Sequence, residues 1–505
     1  MKKIIVMIAI LLISLPTAMS TTTSINKIQN DPIGTYMFED FDPLVNVSVT
    51  VQINKIRSLE KKDIQIPSNK KIDPIGNPDF YVKVTINEEN FTSPIWYDTK
   101  YVYDPQWSTT LDVPDDQENV NIKIQLWDWN ENGDILCDIS PFNYELPDTY
   151  EVNLRYSIKT GHWTGDDYCS NDPNDFDPSG YGRLNGCDDG SIYQNDPDCE
   201  LWFDIYQNDY DNDGIPYWTE VNIFGTDPTI DDRGRDDDND GVPIEWEYKW
   251  GHSFGWHQDF WFYNPFVWED HATLDPDGDG LTNIIEYQWS DWGTDPFRKD
   301  VFVELDVMES SADGTVVCLP IDSEELLYTA FDRQNVVFHL DSGCMGGSDI
   351  IPFDEVTDHD ELNDIYTNYF LHGDQNNPRR GVFHYGVMVY NAEEAAGYIF
   401  RNDAFQISVK GMLDKKQQWL WLNTDVIFAS AYMHELGHTF NFNPIPGHDD
   451  GCYYPWQIGW WLVGPYKSCM NYRYMYYTVD YSDGSRGKND FDDWERMDMT
   501  AFQGH

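Results

Sequence analysis

The sequence predicts a multidomain chain: a β-sandwich, then a spacer of repeated acidic loops, then an α+β domain. Three observations predict it. Between Val45 and Ile158, short segments alternate apolar and polar residues. Between Asp209 and Glu286, one acidic pattern occurs three times. From Asp300 onward, strand-like runs lead into a long, nearly all-apolar helix at 424–441. The 505 residues also exceed what a single hydrophobic core usually holds.

The N-terminus comes first. Lys2 and Lys3 precede an apolar run from Ile4 to Leu15, and Ala18-Met19-Ser20 is a small-residue cleavage site. Residues 1–20 read as a secretory signal cut after Ser20. The apolar run falls short of the roughly 20 residues that span a bilayer, which disfavours the alternative of an uncleaved anchor. The expected mature chain is soluble and secreted. The full sequence's formal net charge of −57 argues against a nucleic-acid partner, which needs a basic surface. Such an acidic excess repels itself unless salt screens it or bound cations neutralise it. Clustering of Asp in short loops favours cations over the alternative, a solvated acidic surface suited to a salty habitat. Eight cysteines in an exported chain predict disulfides, with Cys452–Cys469 and Cys318–Cys344 as the expected pairs. None forms a CxxC pair, so a cysteine zinc site is not expected. Asn46-Val-Ser and Asn90-Phe-Thr are glycosylation sequons that matter only in a host that uses them.

Residues 21–41 are polar and read as a linker. In residues 42–166, VNVSVTVQI (45–53), DFYVKVTI (79–86), VNIKIQLWDW (120–129) and YEVNLRYSI (150–158) alternate as half-buried strands do, which gives the sandwich. Two of its loops carry carboxylates, IDPIGNPDFYVKV and LWDWNENGDILCD. With those loops, the region resembles a C2 domain. The resemblance implies calcium ligands at Asp73, Asp79, Asp128, Asn130 and Asp134, and contact with a membrane or cell surface. Asn130 departs from the Asp of that pattern, and the second loop is about two residues short. A calcium-free sandwich with surface acids is the alternative, since oxygen clusters are common on loops. Residues 167–205, rich in Asp, Asn, Gly, Pro and Cys, read as an irregular connector.

The repeat occupies residues 206–298. DYDNDGIPYWTE (209–220), DDDNDGVPIEWE (236–247) and DPDGDGLTNIIE (275–286) each read D-x-D-x-D-G with Glu at the twelfth position. Oxygens at positions 1, 3 and 5 curl around a calcium ion, Gly at position 6 allows the turn, and Glu at position 12 closes the shell. The predicted ligands are Asp209, Asp211, Asp213 and Glu220; Asp236, Asp238, Asp240 and Glu247; and Asp275, Asp277, Asp279 and Glu286. With the tags IFGTDP (223–228) and WGTDP (292–296), the segment resembles thrombospondin type 3 and EF-hand-like calcium repeats. That likeness implies a spacer stiffened by metal. The aromatic insert at 249–270 departs from a compact repeat and has no role assigned by its pattern.

In residues 299–505, DVFVELDVM (300–308), NVVFHL (335–340), RGVFHYGVMVY (380–390) and FQISV (405–409) read as strands, and TDVIFASAYMHELGHTFN (424–441) as a buried helix. His434 and His438 stand four apart on one helical face and can reach one zinc ion. Glu435 projects beside them, placed to act as general base toward a water that zinc makes acidic. H-E-x-x-H followed by KSCMNY (467–472) resembles a metzincin zinc protease with its methionine turn. The likeness implies a packing floor at Met470, an oxyanion-stabilising hydroxyl at Tyr472, and a peptide substrate added as a strand, with FQISV as the candidate edge. The pattern breaks at Pro444, where the third histidine would stand. FNPIPG (442–447) reads as an insertion that returns His448 to the zinc, with Asp449 as the other possible ligand. Asn441 stands for a glycine that leaves the helix with positive φ.

The leading expectation is a secreted zinc metalloendopeptidase (Zn2+ catalytic, Ca2+ structural) acting on a polypeptide substrate. A non-catalytic, calcium-dependent adhesion protein with a degenerate protease fold is the alternative, and a zinc amidase with a non-peptide substrate is a third.

Overall fold

Alternation along the chain builds a two-sheet sandwich, and the residue facing inward at every second position shows it. In β6 (Asn119–Asp128) Val120, Ile122, Ile124 and Leu126 are all buried. They meet Val49, Val51 and Ile53 from β1 (Ser48–Ser58) in one core. Each such side chain contributes about 1.5–3 kcal/mol of burial free energy. One sheet runs β3 (Glu89–Thr92), β2 (Phe80–Ile86), β6, β8 (Val152–Ser157) and β9 (Trp163–Gly165), with β7 (Ile135–Cys137) also on β6. The other runs β10 (Arg183–Asn185), β11 (Cys199–Gln207), β1 and β4 (Tyr101–Val102), with β5 (Trp107–Asp112) also on β1.

The structure is a computed structural model that describes residues 47–60, 72, 76–114, 116–141, 150–167, 182–192, 196–253, 260–261, 263–393, 395–418, 420–449 and 451–503. The described residues all fall within one unit. The secretory signal, the linker, Asn46, Asp73 and Cys169 lie outside the described residues.

The sandwich does not end at residue 166. β11 pairs with β1 from Val49↔Gln207 to Ser58↔Cys199, and Cys199, Leu201, Phe203 and Ile205 enter the core. Part of the expected connector is therefore a central strand. Its alternation, CELWFDIYQ, was hidden by the Asp- and Pro-rich composition on its N-terminal side.

In the spacer, a helix starts directly after each acidic loop: α1 (Tyr217–Thr219), α2 (Ile244–Gly251) and α3 (Asn283–Gln288). A short pair, β12 (His252–Ser253) with β13 (Phe260–Trp261), lies in the aromatic insert. Apolar packing here is sparse: Val242, Trp246, Trp250 and Tyr263 form one small cluster, and Ile215, Ile244 and Tyr248 another.

The C-terminal domain is α/β in layout. Its sheet runs β15 (Val337–Asp341), β14 (Asp300–Met308), β17 (Phe383–Val389), β19 (Ala404–Ser408) and β18 (Gly397–Arg401), with β16 (Ile350–Ile351) also on β14. All pairings are parallel except β18 on β19. Around it stand α4 (Ile321–Asp332), α5 (His359–Ile365), α6 (Val409–Gln418), α7 (Thr424–Thr439) and α8 (Ile458–Leu462). α7 begins at Asn423, whose side chain accepts from the Asp425 amide, and nearly its whole surface is buried. FQISV is not the sheet edge. β19 is held on both sides, by β17 and β18, and the edge belongs to β18, whose burial is partial.

Sandwich and α/β domain meet across a buried ionic seam. Arg57 of β1 is 1% exposed and lies 2.6 Å from Glu325 Oε2 and 2.9 Å from Asp332 Oδ2, both on α4. Arg298 reaches Glu200 Oε1 of β11 at 3.0 Å. Removing one partner of a buried pair leaves the other charge desolvated. Arg57→Ala is therefore expected to lower stability by about 3–5 kcal/mol and to split one calorimetric transition into separate melting of sandwich and α/β domain. A single, unshifted transition would show that the seam does not join them.

Candidate functional site

The helical repeat of α7 places His434 and His438 one turn apart, and their Nε2 atoms lie 3.2 Å from each other. His448 comes from the loop after the helix, and its Nε2 lies 3.2 Å from His434 Nε2. Three imidazole nitrogens thus converge on one point. His434 Nδ1 donates to the Cys469 carbonyl at 2.8 Å, which fixes the tautomer and leaves the Nε2 lone pair facing that point. Burial, then the neighbouring imidazoles, hold His434 well below its usual pKa and His438 down to about 4. All this favours neutral rings, the form that ligates metal.

The detour through Pro444 is held by local geometry. Asn441 leaves α7 at φ 58°, as a left-handed exit requires. Gly447 has φ 77°, and a Cβ there would lie 2.3 Å from Asn471 Oδ1. The Tyr472 amide donates to the Gly447 carbonyl at 3.2 Å. Asp449 turns away, its Oδ1 accepting from the Gly451 amide at 2.7 Å. The structure brings His448, not Asp449, to the two helical histidines.

Glu435 is 3% exposed, and burial raises its carboxyl to about 8. A Cβ on Gly397 would sit 2.6 Å from Glu435 Oε1, so the carboxyl packs against the backbone of edge strand β18. Sequence reasoning did not single out Gly397; nothing but the fold places it there. Met470 is fully buried under α7, and a Cβ on Gly437 would meet its Sδ at 2.4 Å. The Tyr472 ring lies tilted beside His448 with centroids 4.1 Å apart, and it stacks on Tyr453 at 4.6 Å. Burial raises the Tyr472 phenol above its usual range, and Tyr453 and Glu435 add to that.

The expected disulfides are absent among the described residues, where the seven cysteines carry free thiols. Cys452 sits 3.6 Å from both Asp449 carboxylate oxygens, while Cys469 lies fully buried in the field of Asp493 and Asp480. Cys318 lies near Glu324, and Cys344 near Asp341.

The three acidic loops share one geometry. The first carboxylate caps its own turn: Asp209, Asp236 and Asp275 accept from the amides of Gly214, Gly241 and Gly280 at 3.2, 3.1 and 3.0 Å. These glycines have φ 93°, 105° and 94°. The carboxylate at position 5 accepts an amide from the chain as it returns: Asp213 from Asp232, Asp240 from Glu269, and Asp279 from Asp300. Close carboxylates face one another at Asp211, Asp213 and Glu220; at Asp236, Asp238 and Asp240; and at Asp275, Asp277 and Asp279. Glu286 is 1% exposed and neither carboxylate oxygen has a hydrogen bond. Burial, then the other carboxylates, raises Glu220 to about 8 and Glu247 to about 9. The returning residues Asp232, Glu269 and Asp300 stand at different offsets from their loops, so no fixed spacing in the sequence marks them.

In the sandwich, Asp79, Asp128, Asn130 and Asp134 gather at one end but are engaged with protein donors. Asp128 accepts from the Asp79 amide at 2.7 Å and from Asn130 Nδ2 at 2.7 Å. Asp134 accepts from the Tyr81 hydroxyl at 2.7 Å, and Asp79 from the Asp98 amide at 2.7 Å. An exposed aromatic pair, Tyr97 with Trp129, stands at the same end.

No curated protein matches the chain. Among solved structures, it is similar to human GIVD cytosolic phospholipase A2 in complex with methyl gamma-linolenyl fluorophosphonate, at 12% identity and TM-score 0.18, over 32% of this chain and 17% of that one. It is likewise similar to a solved C2 domain, at 11% identity and TM-score 0.18, over 32% of this chain and 97% of that one. The paired C2 domains of extended-synaptotagmin 2, calcium bound, give 11% identity and TM-score 0.19, over 33% of this chain and 46% of that one. The chain thus spans about a sixth of the phospholipase. The family model for the C2 domain matches residues 47–139. The chain therefore carries a C2 domain there, within a sandwich that the structure continues to Gln207.

Proposed function

We propose that the chain is a secreted zinc metalloendopeptidase. The observation that carries this reading is the convergence of His434, His438 and His448 beside a buried Glu435 that abuts the sheet edge. The three imidazoles would hold zinc, which when bound supplies a Lewis acid and makes water acidic enough to attack near neutral pH. A peptide lying antiparallel along the edge strand β18 would bring its scissile carbonyl to Glu435. Glu435, buried beside the three imidazoles, would take the proton of the attacking water and return it to the leaving amine. The Tyr472 hydroxyl is the candidate donor to the oxygen that gains charge. Secretion rests on the motif of residues 1–20.

Calcium is proposed for the first and third acidic loops, where close carboxylates face one another and several are buried. The C2 domain, with Tyr97 and Trp129 exposed at one end, is proposed to touch a lipid or cell surface.

Glu435→Gln is expected to retain zinc while cleavage of an unfolded protein substrate falls by about 10²–10⁴-fold; Tyr472→Phe is expected to lose about 10²–10³-fold, mainly in kcat. Full activity in Glu435→Gln would remove Glu435 from the mechanism, and no cleavage by the zinc-loaded wild type would leave the adhesion or surface-binding reading in its place.

Calcium dependence should follow pH with a definite sign. A carboxyl raised on folding contributes stability that is present below its ordinary value of 4.5 and lost as pH rises through about 8 for Glu220. In chelator, the melting midpoint is expected to rise from pH 9 to pH 5. The gain from saturating calcium, about 2.7 kcal/mol per site at 100 Kd, is expected to be largest at pH 9. A calcium gain independent of pH would contradict this assignment.

A further inference from the structure

The second acidic loop differs from the other two in one donor. His271 is completely buried, and its Nε2 has no hydrogen-bond partner. That nitrogen points among carboxylates: 3.3 Å from Asp240 Oδ2, 3.7 Å from Glu269 Oε2 and 3.8 Å from Glu247 Oε1. Glu247 Oε1 and Glu269 Oε2 are themselves buried without hydrogen bonds. Asp240, Glu247 and His271 form a donor group close enough to share one ion. We propose that this loop is a second transition-metal site, of the zinc class, built from Asp240, Glu247, Glu269 and His271.

Donor chemistry separates this site from its neighbours. Calcium takes oxygen ligands, whereas an imidazole nitrogen among carboxylates suits zinc and its neighbours in the first transition row. Zinc bonds of about 2.0–2.1 Å in a tetrahedron put ligand atoms about 3.3 Å apart. The spacings here begin at that value, and the three histidines of the α7 site show 3.2 Å. At the first loop, the returning chain offers Asp232, and residue 234 is Gly. At the third, it offers Asp300, and the nearby His339 already commits Nε2 to Asp300 at 2.5 Å.

The support around His271 also fits a ligand. The Asn283 side-chain amide lies 2.8 Å from His271 Nδ1, and Asn283 Oδ1 has no hydrogen-bond partner. Turned end for end, that amide accepts Nδ1–H through its oxygen and leaves the Nε2 lone pair to the ion. Trp246 and Tyr263 wall the ring at 5.7 and 4.9 Å. Tyr263 and Glu269 both come from the aromatic insert, so the site gives that insert a role: an ion held here pins it to the loop.

The inference uses the loop geometry above but not the catalytic reading, and metal counting separates them. The mature full-length Glu435→Gln chain would be stripped with chelator, reloaded with excess Ca2+ and Zn2+, desalted and assayed for zinc. Two zinc ions per chain are expected, one after His438→Ala, one after His271→Ala, and none after both. A single ion lost only with His438→Ala would overturn the second site and leave the first. A single ion lost only with His271→Ala would do the reverse. Should His271→Ala fail to fold, Co2+ titration of the His438→Ala chain decides. A d–d band that Glu269→Gln weakens or shifts is expected, and no band in excess calcium would overturn the proposal.

Discussion

Charge disposal is the constraint on which the rest of the structure depends. The chain has 89 acidic and 32 basic residues, yet it buries many carboxylates. A buried carboxylate needs a cation or a proton. Several arginines are placed in the interior to meet them. Arg379 lies 2.5 Å from Glu304 and 2.7 Å from Asp341, and so ties β14 to β15. Arg183 holds Asp295 at 2.9 Å. Burial alone would raise Glu200, but Lys55 and Arg298 bring it down to about 2. In the acidic loops close carboxylates face one another instead, and burial with their mutual repulsion raises Glu220, Glu247, Asp277 and Glu286.

These two solutions meet at Asp300, the first residue of β14. Its amide donates to Asp279 of the third loop at 2.8 Å, and its carboxylate contacts His339 of β15. β14 pairs with β17, β17 with β19, and β19 with β18, where Gly397 meets Glu435. Third loop and proposed catalytic carboxylate are therefore joined by one continuous sheet. A spacer with little apolar core would transmit little order by itself. Attached to the start of a buried strand, it gains a rigid partner.

Legibility followed the range of the interactions. The acidic loops and the α7 motif are local patterns, where turn chemistry and helical spacing appear in the sequence itself, at Gly214, Gly241 and Gly280 and at His434 and His438. Strand identity was readable in β1, β2, β6 and β8 because each alternates cleanly. β11 alternates too, but stands among residues typical of a connector. Edge position was not readable at all: FQISV and GYIFR are both plausible strands, and only pairing tells which is outermost. Glu269, His271 and Asp300 return to their loops after chain excursions of unequal length, so no fixed spacing announces them.

The third histidine shows how a broken motif can still close a site. His448 follows His438 by ten residues, more than a short helix exit needs, and counting residues alone would leave it unassigned. What fixes its place is the far side of the loop. Asn471 fills the space that a side chain on Gly447 would need, and its Nδ2 holds the Tyr466 carbonyl at 2.7 Å. The Tyr472 amide then binds Gly447, immediately before His448. The segment that supplies Met470 beneath α7 thus also seats the histidine above it. The loop between Asn441 and Gly447 can vary in length provided its two ends keep these contacts, with left-handed backbone at both. The register of His448 is set by the methionine-bearing turn rather than by the distance from the helix.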